Sequence, residues 1–247
     1  MKGRMFMRVV FFAPLISGAT AAALDDVRYP FPEGTEVISV NFGDGGTAMG
    51  AGADAGIDVP RKENWNNAIG DNGMLTNIVD HRGTKVVVNM TWSCQDEDAT
   101  TITGGTPGDQ TMMAEGARSW KEAAGGAGVN CTLVFSNLLS VFDAPYNLYV
   151  YIGRGGGWPA TSGNSFTLTA GTNALTGWTL AGFDGTWNKC MGGGDAGNWC
   201  VISCVEDTLQ VDLVAGAGKT LNTAAINGLQ LYGIKQGYRP GSVLVVR

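Results

Sequence analysis

The chain has few of the residues that catalysis and nucleic-acid binding most often use. Of its 247 residues, 16 are lysine or arginine, 22 are aspartate or glutamate, one is histidine, and only 15% are charged. The net charge of -6 disfavours a nucleic-acid partner, because binding to phosphates requires a basic surface. A Ser-His-Asp or Cys-His triad would have to use the single histidine, His81.

Sequence motifs of hydrolases are also missing. There is neither a G-x-S-x-G elbow nor an H-E-x-x-H metal motif. His81 lies in Asp80-His81-Arg82-Gly83, which we interpret as a polar turn rather than a catalytic site. A glycoside hydrolase requires only two carboxylates at a suitable separation, so a glycoside hydrolase-like enzyme stays as a third hypothesis. We predict that the protein is not an enzyme.

Glycine, by contrast, is abundant, with 38 residues, and 44% of the chain is apolar. This composition disfavours a helical protein, because glycine destabilises helix interiors. Short alternating or β-branched segments separated by Gly, Asn and Asp predict strands instead. The predicted strands are 37–42, 85–92, 131–135, 147–152, 165–169, 200–204, 208–213 and 225–232. We therefore predict an all-β fold, a jelly-roll-like antiparallel β-sandwich with at most one or two short helices, one of them within Thr111–Ala124.

The amino terminus has the pattern of a secretory signal peptide. Basic residues precede a short apolar run at 9–16, and Ala19-Thr20-Ala21 is a small-residue cleavage site. The run is short for a membrane span, and an uncleaved interfacial anchor is the alternative. We expect residues 1–23 to be a signal peptide and residues 24–247 to be one secreted, extracellular domain that does not contact the membrane after signal removal.

Five cysteines make disulfides a candidate feature, because an exported chain meets oxidising conditions. An odd number leaves at least one thiol unpaired. The sequence alone does not determine the pairing. Our hypothesis joins Cys190 to Cys200 across a glycine-rich segment and Cys94 to Cys131, and it leaves Cys204 free.

Several segments occur in an order that resembles a known family. The segment 38–43 resembles the opening strand of galactose-binding-like and malectin-like jelly rolls, and 225–231 resembles their closing strand. Between them lie 64–67, 86–93 and 146–153, in an order similar to that of secreted bacterial β-sandwich proteins that often carry a PEP-type sorting anchor.

This resemblance extends over residues 35–235. It implies a jelly roll with an extracellular site, but no particular activity, because a fold does not fix a function. We expect the sorting anchor to be absent, since the chain ends at 241–247 without an apolar span.

Tryptophans in polar or glycine-rich surroundings are the candidate binding residues. Carbohydrate sites combine an aromatic face with amide, carboxylate or cationic groups that bind hydroxyls. The candidate ligand-binding residues are Arg154, Trp158, Trp187, Asn188 and Trp199. The alternative is that these tryptophans cover the ends of the sandwich, since tryptophan is usually largely buried.

The segment 63–70, with the sequence ENWNNAIG, combines a tryptophan with three asparagines. We interpret the asparagines as turn formers and Trp65 as a buried anchor for a long loop. Trp92 and Trp178 lie in strand-like segments, and we predict that both are in the core.

Calcium is the candidate cofactor. Hard cations bind carboxylate and carbonyl oxygens, and Asp44, Asp54 and Asp58 lie close together in the sequence. No complete calcium-loop motif is present.

Two hypotheses of different classes remain. The first is a secreted recognition or adhesion protein that binds a glycan or another cell-surface ligand. The second is a structural subunit of an extracellular filament or surface layer. Such a subunit would self-assemble by burying edge strands, and the unpaired cysteine or the apolar segment 243–246 could join neighbouring subunits.

Overall fold

The computed structural model describes residues 33–43, 48–58, 63–95, 101–122, 128–153, 163–180, 182–216 and 221–239. The predicted signal peptide and the segment 243–246 lie outside these residues. The elements are β1 Thr35–Gly43, β2 Asn66–Ile69, β3 Asn72–Leu75, β4 Asn89–Ser93, α1 Pro107–Ala114, β5 Ala117–Glu122, β6 Gly128–Val129, β7 Cys131–Ser136, a 3-10 turn Leu138–Ser140, β8 Tyr146–Gly153, β9 Ser165–Ala170, β10 Asn173–Thr179, β11 Ala196–Gly197, β12 Trp199–Cys204, β13 Leu209–Ala215 and β14 Leu221–Ile234.

The described strands form two sheets that pack against each other. The first sheet has the order β12-β8-β14-β1-β2, with β5 pairing with β14 and β6, and the second has the order β11-β10-β9-β13-β7-β4-β3. The predicted all-β sandwich is therefore confirmed. Both sheets are mixed rather than antiparallel, because β2 runs parallel to β1 and β11 runs parallel to β10.

Alternating side chains build the main core between the sheets. In β7, Cys131, Leu133 and Phe135 are fully buried, and Leu148 and Val150 of β8 are buried in the same cluster. The residues between them are partly exposed. This period of two is the pattern from which the strands were predicted. Seven of the eight predicted strands coincide with β1, β7, β8, β9, β12, β13 and β14.

The eighth predicted strand begins later than expected. Strand β4 starts at Asn89, whereas the prediction began at Lys85. The segment before β4 forms a short loop instead, in which Lys85 bridges to Val79 and the amide of Val86 donates to the carbonyl of Ile78.

The predicted helix is also displaced. Helix α1 ends at Ala114, and the second half of the predicted segment is strand β5, which pairs with β14. The helix begins earlier because Thr106 caps it: its side chain accepts from the Asp109 amide, and the Asp109 side chain accepts from the Thr106 amide. Such a capping box followed by Pro107 is a start signal in the sequence, and it indicates the observed boundary better than apolar spacing does.

Strand β14 joins the parts of the first sheet. One edge pairs with β8, while the other edge pairs first with β5 and then with β1. The change of partner occurs at a bulge between Ile226 and Gly228. The bulged residue, Asn227, is buried and donates its side-chain amide to the carbonyls of Glu115 and Met113. The bulge therefore ties the end of helix α1 to the sheet.

The outer face of the first sheet carries a second, smaller apolar cluster. It includes Trp65, Trp199, Tyr151 and Met112, and helix α1 lies over this part of the sheet. Gly228 allows the close approach, because a Cβ at this position would lie 2.6 Å from Met112 Sδ and 3.3 Å from Trp65 Cζ3. Trp65 is only 4% exposed, so the prediction of a buried anchor is confirmed.

The three asparagines beside Trp65 have different outcomes: Asn64 precedes the strand with a positive φ of 60°, as a turn former can, whereas Asn66 and Asn67 do not form the predicted turn. Asn66 and Asn67 belong to strand β2. The Asn66 amide donates to the carbonyls of Ser39 and Val79, and its oxygen accepts from the Val79 amide. Asn67 exchanges two hydrogen bonds with the backbone of Met49. Because buried polar groups need partners, these side chains fix β1 and two loops against β2.

The other two tryptophan predictions have different outcomes. Trp92 is 7% exposed, and its indole N–H donates to the Gly70 carbonyl, so its predicted core position is confirmed. Trp178 is 46% exposed, so its predicted core position is wrong. Trp178 lies on β10, where the neighbouring Gly177 and Thr179 are the buried residues.

The segment around His81 is a polar turn, as predicted. The Asp80 carboxylate accepts from the backbone amides of Arg82 and Thr84 and binds the Arg82 guanidinium, which also contacts buried Glu36. His81 Nδ1 accepts a hydrogen bond from the Val37 amide at 3.3 Å. Burial acts to raise the pKa of Asp80, but the hydrogen bonds from Arg82 and Thr84 outweigh it and hold that pKa below its usual value.

We expect Gly228→Ala to lower the free energy of unfolding by about 1–3 kcal/mol. The added methyl group would push the buried side chains of Met112 and Trp65 away from the sheet. Urea unfolding monitored by tryptophan fluorescence measures the change. Gly52→Ala is the matched control, since no atom lies within 4 Å of a Cβ at that position. If the two variants were equally stable, the close packing of Met112 and Trp65 on Gly228 would be contradicted.

We also expect Asp80→Asn to change how stability depends on pH. A carboxylate with a lowered pKa stabilises the folded state above its unfolded pKa of about 3.9, and that stabilisation is lost as the pH falls through the lower folded pKa. The difference in unfolding free energy between wild type and Asp80→Asn should therefore be largest near pH 7 and shrink below about pH 4.

Urea titrations at several pH values measure that difference. Glu63→Gln, at an exposed position, is the control. A difference for Asp80→Asn that stays constant down to acid pH would show that the carboxylate charge does not stabilise the turn.

Candidate functional site

The open part of the outer face of the first sheet carries neighbouring aromatic side chains from three strands. Tyr149 of β8 lies diagonally opposite Trp199 of β12 and Tyr232 of β14. Diagonal neighbours on one face are within reach of aromatic side chains. Tyr149 and Tyr232 are partly exposed, whereas Trp199 is 7% exposed. We call Tyr149, Trp199, Tyr232 and Lys189 the aromatic face.

The rings of the aromatic face hold one another in fixed orientations. Tyr149 and Trp199 are stacked, with ring centroids 6.2 Å apart and planes at 20°. Tyr232 meets Tyr149 edge-on, with centroids 6.1 Å apart. The Lys189 Nζ lies 5.2 Å from the centroid of the Trp199 ring, within the range of a cation–π contact. Burial, followed by the neighbouring Tyr232, raises the pKa of Tyr149, so its hydroxyl stays protonated at neutral pH.

Buried Asn198 positions the loop that carries Lys189. Its side-chain oxygen accepts from the Asn188 amide at 2.8 Å, and its nitrogen donates to the Thr186 carbonyl at 2.8 Å. Lys189 and Trp199 also form a parallel bridge. The side-chain amide of Asn198 thus binds the backbone at Thr186 and at Asn188, and so it holds the loop that leads to Lys189. Both ends of this buried amide have partners, as buried polar groups usually do.

The structure brings together three of the five predicted ligand-binding residues. Trp187, Asn188 and Trp199 lie at one edge of the first sheet, and Asn188 is exposed. Trp187 is partly buried and packs on Tyr151, with ring centroids 5.0 Å apart. Trp187 therefore acts mainly as a cover for the sheet, which is the alternative that the sequence left open. The other two predicted residues, Arg154 and Trp158, lie outside the described residues.

Three members of the aromatic face, Tyr149, Tyr232 and Lys189, were not predicted as ligand residues. Tyr149 and Tyr232 lie within strands that the sequence did predict. In β8 the apolar residues Leu148 and Val150 face the core, so Tyr149 between them has to face outward. The alternation that predicted the strand therefore also indicated an outward aromatic residue, and the search for loop tryptophans missed it.

The described part of the predicted calcium site does not form a carboxylate cluster. Asp44 lies outside the described residues. Asp54 lines a surface pocket of about 320 Å³ beside the start of helix α1, and Asp58 is exposed. Among the described residues, no group of three or more His, Cys, Asp or Glu side chains is arranged to hold a metal ion. At the start of helix α1, the backbone amide of Asp109 donates to the side chain of Thr106.

All five cysteines are free thiols in the structure, so it contains neither of the two predicted disulfides. Both predicted pairs are nevertheless adjacent. The pairing of β4 with β7 ends at Ser93 opposite Thr132, so the next residues, Cys94 and Cys131, come opposite each other. In the other pair, the Cys190 amide donates to the carbonyl of Trp199, the residue before Cys200. Cys204 is 1% exposed.

No helix within the described ranges has the length and apolar character needed to cross a membrane. Comparison of the chain with protein-family models, curated proteins and solved structures finds no match. The function therefore has to be inferred from the sandwich and from the side chains that it presents.

Proposed function

We propose that this protein is a secreted, non-enzymatic recognition protein that binds carbohydrate at the aromatic face. The observation that carries the proposal is the stacked pair of Tyr149 and Trp199 on the outside of the first sheet, flanked by Tyr232 and Lys189. Partly exposed tyrosines at fixed angles offer flat surfaces for the C–H face of a sugar ring.

The rings differ in how far they are exposed, and this difference determines what each ring contributes to binding. Trp199 is too buried to meet a ligand with its full face, so its main contribution is to hold Tyr149, on which it stacks. Tyr149 and Tyr232 provide the accessible surface. Because aromatic side chains have few rotatable bonds, a ring that is already packed loses little conformational entropy on binding.

Polar groups beside the rings favour a sugar over an apolar ligand. The ammonium of Lys189 lies against the Trp199 ring, and the preceding residue, Asn188, has an exposed side chain. Amide and ammonium groups bind hydroxyls, and they fix the orientation of a ligand that aromatic surfaces hold. The lysine also gives a local positive charge in a chain of net charge -6, which suits a neutral or acidic glycan.

The fold is compatible with this proposal. The two packed sheets support the galactose-binding-like or malectin-like jelly roll that the sequence resembles, and that resemblance implies an extracellular site. His81 lies in the polar turn, with its Nδ1 3.3 Å from the Val37 amide and 3.4 Å from a carboxylate oxygen of Glu36. Secretion, and with it a cell-surface glycan as partner, remains part of the proposal.

A glycan array followed by calorimetric titration tests the proposal. We expect the wild-type chain to bind a glycan, and we expect Tyr149→Ala to weaken that binding by roughly tenfold or more, equivalent to about 1.4 kcal/mol. Trp178→Ala is the matched control, because Trp178 is an exposed aromatic residue on the second sheet and should leave the affinity unchanged. Absence of binding to every glycan, or equal loss in the two variants, would contradict the proposal.

A second candidate function is that of a subunit in an extracellular filament or layer. It is favoured by exposed apolar side chains, among them Met74, Val87 and Trp178, which are 62%, 63% and 46% exposed. The buried thiol of Cys204 does not support a covalent link between subunits. Light scattering and negative-stain microscopy of the purified chain distinguish this candidate, since monomers alone at high concentration would exclude it.

A further inference from the structure

We propose that Cys94 and Cys131 form an oxidation site at which a small disulfide, such as oxidised glutathione, converts the two thiols into a bond between strands of the second sheet. This inference does not depend on carbohydrate binding. It concerns a covalent modification of the sheet opposite the aromatic face.

The backbone register places the two cysteines directly opposite each other. Strands β4 and β7 are antiparallel, and Ser93 pairs with Thr132, so the next residues along the two strands, Cys94 and Cys131, also face each other. The side chains share one face, because Cys94 and Cys131 both belong to the buried cluster between the sheets.

The hydrogen bond of the Cys94 amide shows whether Cys94 and Cys131 form a hydrogen-bonded or a non-hydrogen-bonded pair of the antiparallel sheet. The Cys94 amide donates to the carbonyl of Asp71, on the side of β3. In a strand, the N–H and C=O of one residue point to the same side, so Cys94 and Cys131 form a non-hydrogen-bonded pair. The Cα atoms of such pairs are about 4.5 Å apart, which lies within the range of about 4.4–6.8 Å that disulfides require.

The thiols influence each other in the reduced state. Interaction with the Cys94 thiol, followed by burial, raises the pKa of Cys131 well above its usual range. Cys94 is 9% exposed and Cys131 is fully buried. Cys94, one residue beyond the end of β4, is thus the more exposed of the two, and we assign the first attack on the oxidant to it. Its thiol lies 3.3 Å from the Asp71 carbonyl, and oxidation gives up that hydrogen bond.

The reaction balances with glutathione disulfide as the oxidant. The Cys94 thiol loses a proton, and its sulfur attacks one sulfur of glutathione disulfide, releasing one glutathione thiolate and leaving a mixed disulfide on Cys94. The Cys131 thiol then loses its proton, and its sulfur attacks the Cys94 sulfur and releases the second glutathione. The protein loses two electrons and two protons, and one glutathione disulfide becomes two glutathione thiols.

The remaining cysteines provide an internal comparison. Cys204 is buried and its thiol lies near the Ile202 carbonyl of its own strand. A reaction that followed general unfolding would also join Cys204 to other cysteines. A reaction in the folded sheet joins Cys94 only to Cys131.

The test is incubation of the reduced full-length chain with oxidised glutathione, followed by alkylation of free thiols and peptide mass mapping without reduction. We expect a linked pair of peptides that contain Cys94 and Cys131, reversal by dithiothreitol, and a rise of roughly 5–10 °C in the unfolding midpoint. The link should disappear in Cys94→Ser and persist in the matched variant Cys204→Ser.

Two results would overturn the proposal. One is that Cys94 and Cys131 stay alkylatable after oxidation of the wild-type chain. The other is that either cysteine is linked mainly to Cys204 or to a second molecule. Both results are read from the wild-type chain, so the proposal can fail even if Cys94→Ser does not fold.

Discussion

The bulge at Asn227 in strand β14 is the constraint on which the arrangement of the first sheet depends. It lets one edge of β14 pair with β5 over its first half and with β1 over its second half, while the other edge pairs with β8 from Ala225 to Tyr232. The buried Asn227 amide also donates to the carbonyls of Met113, in the last turn of helix α1, and of Glu115, just after it. Through these two hydrogen bonds the side chain links the end of helix α1 to the point at which β14 changes its strand partner.

The two ends of the outer face follow from that arrangement. At one end, Gly228 lets Met112 and Trp65 pack closely on the sheet, and Trp187 adds to this cover. At the other end, Tyr149 and Tyr232 remain partly exposed. Trp199 belongs to the same buried cluster as Trp65 and stacks on Tyr149, so the covered and the open parts of this face are continuous. Rings that are already ordered lose less entropy when a ligand binds, which is the property on which the proposed carbohydrate site depends.

The sequence predicted most of the core strands, because one buried face produces a period of two, as in β7 and β8. It did not predict strand β2, whose asparagines favour turns in isolation and are retained in a strand by tertiary hydrogen bonds of Asn66. The cysteine neighbours were predicted but no bond is present between them. The aromatic face was missed in part because its members are distant in the sequence and meet only through sheet pairing.

The most direct measurement of the central claim is the map of amide chemical-shift changes when the isotope-labelled chain is titrated with a bound glycan. Our account predicts changes concentrated in β8, β12 and β14 around Tyr149, Trp199 and Tyr232, with the outer face of the second sheet unaffected. Changes confined to the second sheet, or to loops away from the aromatic face, would contradict it.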